Sequence, residues 1–248
     1  MGRWSRRLAP QLVQFAAIAD GDHVLDVGCG TGSLTEAIAA ASPSGRIVGI
    51  DRSAPYVALA QARPHSPHIR FHVGDAQQLP FDNACFDRAL SLLILNFIPR
   101  PQTALKEIIR VTRRNGTVAA AVWDYGDGME MLRVFWDEAI ALVPDAESRD
   151  ERHMPLSRQG ELATLWRRHD VQSVAEAPIT IDTSFASFDD YWTPFLARQG
   201  PAGAYVASLS ESDVHQLRRN LRRRLLGDGP DRRIMLRARA WAVRGTVP

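Results

Sequence analysis

The 248-residue sequence has only two cysteines, Cys29 and Cys85. Two are too few for a disulfide framework, and a reducing cytoplasm suits that composition. No apolar run approaches the roughly 20 residues that a membrane-crossing helix needs. Near the N-terminus, Arg3, Arg6 and Arg7 precede an apolar run from Leu12 to Ala19, a faint likeness to a secretory leader. That run is short and carries Gln14, and Leu8, Leu12, Phe15, Ala16 and Ala19 recur at helical spacing, so the pattern predicts an amphipathic helix. A large excess of one charge is also missing. Thirty basic residues against 28 acidic ones give a formal net charge of +2, which calls for neither nucleic acid nor an acidic membrane. Internal repeats and low-complexity segments are absent. What remains is an ordinary globular balance, 45% hydrophobic and 23% charged, in a chain long enough for one α/β domain with a modest lid.

The first half alternates two periodicities. His23–Val27, Arg46–Asp51, Ile69–Val73, Phe86–Leu90 and Gly116–Trp123 are short, apolar and bounded by Gly, Pro, Asp or Asn, as strands are. Ser33–Ala41, Pro55–Arg63 and Pro101–Thr112 read as helices between them. Alternation of this kind predicts a parallel sheet with helices on both faces. Beyond Trp123 the rhythm changes. Met129–Leu142, Glu161–His169, Phe188–Leu196 and Ala204–Leu226 read as helices, Pro144–Ser157 as a charged loop, and Val171–Thr183 and Arg232–Val243 as strands. Four segments follow: an N-terminal helical one at 1–22, an α/β core at 23–124, a helical lid insertion at 125–160, and 161–248, which completes the core around a second insertion at about 185–229.

The informative stretch is Val24-Leu25-Asp26-Val27-Gly28-Cys29-Gly30-Thr31-Gly32, followed by a helix. Small residues here let the chain turn tightly from strand to helix and let a ligand approach the main chain. A dinucleotide fingerprint would read G-x-G-x-x-G and seat a pyrophosphate. This chain has G-x-G-x-G with a carboxylate, Asp26, just before it, which suits a cationic ligand better than a pyrophosphate. Asp51 ends the next strand, where an acid can accept hydrogen bonds from ribose hydroxyls. Asp75 follows the third strand, placed to meet a base edge.

In this order and spacing, Val24–Gly32, Ile50-Asp51-Arg52-Ser53, Gly74-Asp75-Ala76 with Leu79-Pro80-Phe81, and Phe86-Asp87 with Ser91-Leu92-Leu93 resemble the motifs of class I S-adenosylmethionine-dependent methyltransferases. Small-molecule enzymes of the quinone-biosynthesis type are the nearest relatives by this pattern. The resemblance implies a Rossmann-like class I methyltransferase fold: a mostly parallel twisted sheet, helices on both faces, an antiparallel C-terminal strand and helical lid insertions. It also implies S-adenosyl-L-methionine as cofactor and S-adenosyl-L-homocysteine as product. Asp26, Gly28 and Gly30 would then line the methionine end, Asp51 and Arg52 the ribose, and Asp75 and Ala76 the adenine. Ser91 and Leu92 would close over the sulfonium side. Arg52 can equally be a solvated helix-start residue, Gly32 a packing residue, and Asp87 a structural one at the far end of its strand.

Methyl transfer from a sulfonium has an excellent leaving group, so positioning and exclusion of water carry most of the work. No catalytic residue is marked. The fourth-strand exit, Ser91–Phe97, lacks the Asn/Asp-Pro-Pro-aromatic motif of amino-group DNA methyltransferases, and no Pro-Cys nucleophile appears. It also lacks the carboxylate cluster of metal-dependent catechol enzymes, so no metal is expected. Histidines that many quinone-type relatives carry near Leu95-Asn96 are absent here too. Trp4, Arg7, Phe97, Trp123, Tyr125 and Trp192 are substrate-pocket candidates, each with core packing as its alternative. His153 is either a base or a solvent-facing side chain. The expected partner is a small molecule rather than nucleic acid. Three other readings stand beside it: RNA or protein methylation docked through the Arg218–Arg224 face, a non-catalytic cofactor-binding module, and, last because of the glycine spacing, a nicotinamide oxidoreductase.

Overall fold

The computed structural model describes residues 2–198 and 200–248. Helix α1 (Gly2–Phe15) forms because Leu8 and Leu12, four residues apart, bury completely on one face, as does Ala16 just past its end. It packs on α2 (Ser33–Ala41). Strands β1 (His23–Val27), β2 (Arg46–Asp51) and β3 (Ile69–Val73) alternate with α2 and α3 (Ala54–Gln61). Then come β4 (Phe86–Leu92), a 3-10 turn at Leu95–Phe97, α4 (Pro101–Val111) and β5 (Thr112–Trp123). The remainder comprises α5 (Glu130–Leu142), α6 (Glu161–Arg167), β6 (Gln172–Phe185), α7 (Phe188–Leu196), α8 (Gly200–Ser208), α9 (Glu211–Leu226) and β7 (Ile234–Thr246).

Seven strands form one sheet in the order β3-β2-β1-β4-β5-β7-β6. The pairs β1–β2, β1–β4, β2–β3 and β4–β5 are parallel. β7 runs against β5: early in β5 the Asn115 N–H donates to the Val247 carbonyl just past the end of β7, and just past the end of β5 the Asp124 N–H donates to the Arg239 carbonyl within β7. The fold is therefore the mostly parallel, Rossmann-like one with an antiparallel C-terminal strand that the sequence leads one to expect. Chain direction through the sheet reverses between β1 and β4. Ligands of open α/β sheets bind at such a switch point, beyond the carboxyl ends of the strands.

Contacts divide the chain into two compact units. One runs to Val122 and includes Arg158–Ile179 and Ala240–Pro248; the other comprises Trp123–Ser157 and Thr180–Arg239. The second unit has its own aromatic core, in which Phe135 stacks on Phe195 with ring centroids 4.3 Å apart, and the Tyr191 hydroxyl donates to the Met131 carbonyl. Within it Trp136 Nε1 donates to Glu151 at 2.6 Å, and burial pushes the Glu151 carboxyl up to about 7.

Two elements differ from the sequence pattern. The single helix expected over Ala204–Leu226 is two, because Ser210 takes an extended conformation and its hydroxyl accepts the Asp213 N–H, capping α9. The expected loop at Pro144–Ser157 contains two 3-10 turns, Pro144–Arg149 and Glu151–His153, the second capped by Asp150 accepting the Arg152 N–H. Asp150 also pairs with Arg133 of α5, which ties the segment to that helix.

Candidate functional site

The parallel register aligns the strand ends that build the site. Val27 of β1 lies opposite Ile50 of β2 and Ser91 of β4, and Asp51 lies opposite Val73 of β3. Beyond these ends a cleft opens in the first unit. Gly28 forms its floor, with Ile50, Asp51 and Arg52 from the end of β2. Gly74, Asp75, Ala76 and Gln77 after β3 supply a second side, and Ile94, Phe97, Ile98 and Pro99 after β4 a third.

The glycine turn is held from behind. Gly28 and Cys29 N–H groups both donate to the Ile50 carbonyl, at 2.8 and 3.0 Å. Gly28, Gly30 and Gly32 all have positive φ, at 78°, 53° and 91°. At Gly28 a side chain would also collide with Ile94, 2.5 Å from the added Cβ. Gly30 differs, because nothing stands within 4 Å of where its Cβ would be. Its N–H donates to Asp51 Oδ2 at 2.9 Å, while Asp51 Oδ1 accepts from Ser53 N–H at 2.8 Å. A carboxylate has about four acceptor sites, so each Asp51 oxygen retains one for a ligand hydroxyl.

Asp26 is fully buried behind the turn and does not line the cleft. Its Oδ2 accepts from the Thr35 hydroxyl at 2.6 Å, and its Oδ1 has no partner. Burial, reinforced by the Asp51 carboxylate, pushes the Asp26 carboxyl from 3.8 up to about 7. An unfolded chain releases this proton above pH ~4, whereas the native chain keeps it to about 7. Native protein thus binds more protons across that window, and stability falls as pH rises through it. Asp26→Asn should remove that share of the slope, about 2–4 kcal/mol between pH 4 and pH 8. Urea unfolding at several pH values measures it, and an unchanged slope would refute the raised carboxyl.

The loop after β3 is fastened by α4. Glu107 accepts the Leu79 N–H at 2.8 Å, and Arg110 donates to the carbonyls of Leu79 and Phe81. Asp75 Oδ1 accepts the Gln77 N–H at 2.8 Å, a bond that lowers its carboxyl pKa, with Arg52 and Arg100 lowering it further. Sequence reasoning missed Glu107 and Arg110, which lie one helical turn apart on α4 and outside every motif.

Of the residues marked from sequence, Gly28, Asp51, Arg52, Asp75, Ala76 and Phe97 stand on the cleft wall, Phe97 with 56% of its surface exposed. Ser91 and Leu92 do not, being buried in the sheet, and Ile94 and Phe97 hold the β4 side instead. Trp4 is buried, with the Arg3 and Arg7 guanidiniums over its ring at 4.5 and 5.3 Å; neither Trp4 nor Arg7 lines the cleft. Trp123, Tyr125 and Trp192 are buried residues of the second unit. His153 is exposed, and Asp87 accepts the His23 N–H at 2.7 Å. On α9, Arg218 pairs with Asp189 and Arg224 with Asp137 and Glu138, so part of the basic face is neutralised locally. Among the described residues no cluster suited to a metal ion occurs, and no helix is long and apolar enough to cross a membrane.

Two features fit a ligand that carries a ribose beside the glycine turn: the open ground before Gly30 and the unused Asp51 acceptors. A family model described as a methyltransferase domain matches residues 25–120. The ubiquinone/menaquinone biosynthesis C-methyltransferase UbiE of Rubrivivax gelatinosus is 36% identical over 113 residues, covering 46% of this chain and 42% of that protein. The chain spans about half or less of the length of the curated relatives it matches. Among solved structures, the phosphoethanolamine N-methyltransferase 2 of Haemonchus contortus, bound to S-adenosylhomocysteine and phosphomonomethylethanolamine, superposes with a TM-score of 0.59 at 16% identity, over 99% of this chain and 53% of that one. The [4+2]-cyclase SpnF superposes with a TM-score of 0.56 at 18% identity, over 97% of this chain and 81% of that one. At such identities the superpositions establish the fold.

Proposed function

We propose that the α/β core of this chain, which matches a methyltransferase-domain model over residues 25–120, works as a class I S-adenosylmethionine-dependent methyltransferase, and that the protein methylates a small-molecule acceptor in the cytoplasm. The observation that carries the cofactor placement is the pairing of Asp51 with the Gly30 N–H beside open ground, at the sheet's switch point. Asp51 binds the ribose hydroxyls through its remaining acceptors. Asp75 with Ala76 and Gln77 meets the adenine edge. Ile50, Ile94 and Ile98 supply apolar wall that sheds water as the cleft fills.

S-adenosylmethionine supplies an electrophilic methyl on a sulfonium; displacement breaks the methyl–sulfur bond, forms the methyl–acceptor bond, releases S-adenosylhomocysteine and sends any displaced acceptor proton to solvent. The chain's own contribution is to hold donor and acceptor in line, which is worth several decades in rate without a dedicated base. Incubation with methyl-tritiated cofactor and a panel of small phenols, quinols and amines is expected to yield labelled small product with one equivalent of S-adenosylhomocysteine. Label appearing only in added RNA or protein would overturn the small-molecule acceptor.

A further inference from the structure

The loop from Gly74 to Ala84 begins as the second wall of the cleft, yet burial holds little of it. Leu79 is its one buried side chain, and Phe81 meets the Phe86 ring edge-on at 5.2 Å. Asp75, Ala76 and Gln77 are half-buried or exposed. A polar stretch of this kind gains little from packing and stays mobile unless other contacts fix it. One end is fixed where the Gly74 N–H donates to the Asp51 carbonyl at 3.0 Å. The chain then folds back on itself, the Gln77 N–H on the Asp75 carboxylate and the Gln78 N–H on the Asp75 carbonyl.

The other end is fixed by α4. Arg110 uses all five of its guanidinium donors. Its Nε and Nη2 hold the two oxygens of Glu107 at 2.7 and 2.8 Å. Nη2 also reaches the Leu79 carbonyl at 3.0 Å, while Nη1 reaches the Phe81 carbonyl and Asn83 Oδ1 at 2.8 and 2.9 Å. Glu107 in turn accepts the Leu79 N–H at 2.8 Å, so both backbone groups of Leu79 are engaged. At the N-terminal cap of the same helix, Arg100 Nε donates to Gln77 Oε1 at 3.2 Å. Asp75–Gln78 is therefore a short arch between two fixed points, Gly74 on β2 and Leu79 on α4. Only a planar fork matches this set of acceptors; an ammonium has three donors and no fixed geometry.

We propose that Glu107 and Arg110 are positioning residues for cofactor selection, acting as one unit from outside the cleft to hold the Asp75–Gln77 arch in the shape that reads the amino edge of adenine. Neither residue lines the cleft itself. An arch ordered in advance spares the ligand the cost of ordering it on binding. It also keeps the Asp75 carboxylate where the 6-amino group of the base can donate to it. Loosening the clamp therefore costs most for a ligand that uses this edge and least for one that lacks it. This proposal rests on the methyltransferase reading above.

The test is calorimetric titration of the full chain with S-adenosylhomocysteine and with its 6-deamino analogue, in which purine replaces adenine. Wild type should prefer the adenine ligand by about 10–100-fold, the range for a hydrogen bond to a charged group. Arg110→Ala and Glu107→Ala should each weaken S-adenosylhomocysteine about 10-fold and the analogue no more than about twofold, so the preference shrinks. The double variant should lose no more than the worse single one, because the two side chains work together. Arg110→Lys keeps the charge without the fork and should match Arg110→Ala, which keeps the test open should the alanine variants not fold. A merely structural clamp would lower Tm and leave the preference alone. Equal loss for the two ligands, unchanged affinity for both in a folded variant, strictly additive losses, or no preference in wild type would overturn the positioning role. Failure of wild type to bind S-adenosylhomocysteine would instead overturn the underlying methyltransferase reading.

Discussion

Gly30→Val is expected to fold and yet lose at least about 100-fold in affinity for S-adenosylhomocysteine, equivalent to roughly 2.7 kcal/mol. The native φ of 53° costs a side-chain-bearing residue about 1–2 kcal/mol, which a domain of ordinary stability survives. Apart from its chain neighbours, no protein atom lies within 4 Å of the new Cβ, so the isopropyl group is expected to stand in the ligand's approach rather than to pack. The Gly30 N–H bond to Asp51 can persist, since it involves the main chain alone. Gly28→Val is the less informative variant. There the added carbon meets Ile94 at 2.5 Å, and lost binding would mix a blocked cleft with a displaced β4 exit. Calorimetric titration of folded Gly30→Val measures the effect, and near-normal affinity would place the ligand elsewhere.

Asp51→Ala should weaken cofactor binding by about 1.5–3 kcal/mol, the range for hydrogen bonds to a charged group. It removes the ribose acceptors and also orphans the Gly30 and Ser53 N–H groups that the carboxylate now satisfies. Asp51→Asn separates the two effects. Its amide oxygen can satisfy one of those N–H groups, but the charge and half the acceptors are gone, so binding should fall by an intermediate amount while Tm falls less than in the alanine variant. Equal affinity across all three proteins would remove Asp51 from the ribose.

Strands β1 to β3 match the sequence pattern residue for residue, because each is a short run ended by Asp or Gly; β1 and β2 bury most of their apolar side chains, while β3, at the edge of the sheet, buries only Ile69. The floor and second side of the cleft were legible for the same reason, since Gly28, Asp51 and Asp75 end or follow those strands. The third side was not. After β4 the direction of the chain depends on Leu93 turning through positive φ, which no periodicity encodes, so Ile94, Ile98 and Pro99 carried no mark while Ser91 and Leu92 did. For the large aromatics the sequence left pocket and core both open. Trp4, Trp123, Tyr125 and Trp192 are buried, as their large apolar area favours. Phe97 is the exception, exposed beside the cleft on a turn too short to cover it.

The match to a methyltransferase-domain model covers residues 25–120, and the fold is shared by a [4+2]-cyclase. Ligand choice therefore tests the account more directly than architecture does. Thermal unfolding with S-adenosylmethionine, S-adenosylhomocysteine or NAD, each added separately at about a hundred times a typical dissociation constant, puts about 2.7 kcal/mol on any ligand that binds the native state. The account predicts a rise of roughly 5–10 °C with either adenosyl ligand and none with NAD; no rise with the adenosyl ligands, or an equal rise with NAD, would contradict it.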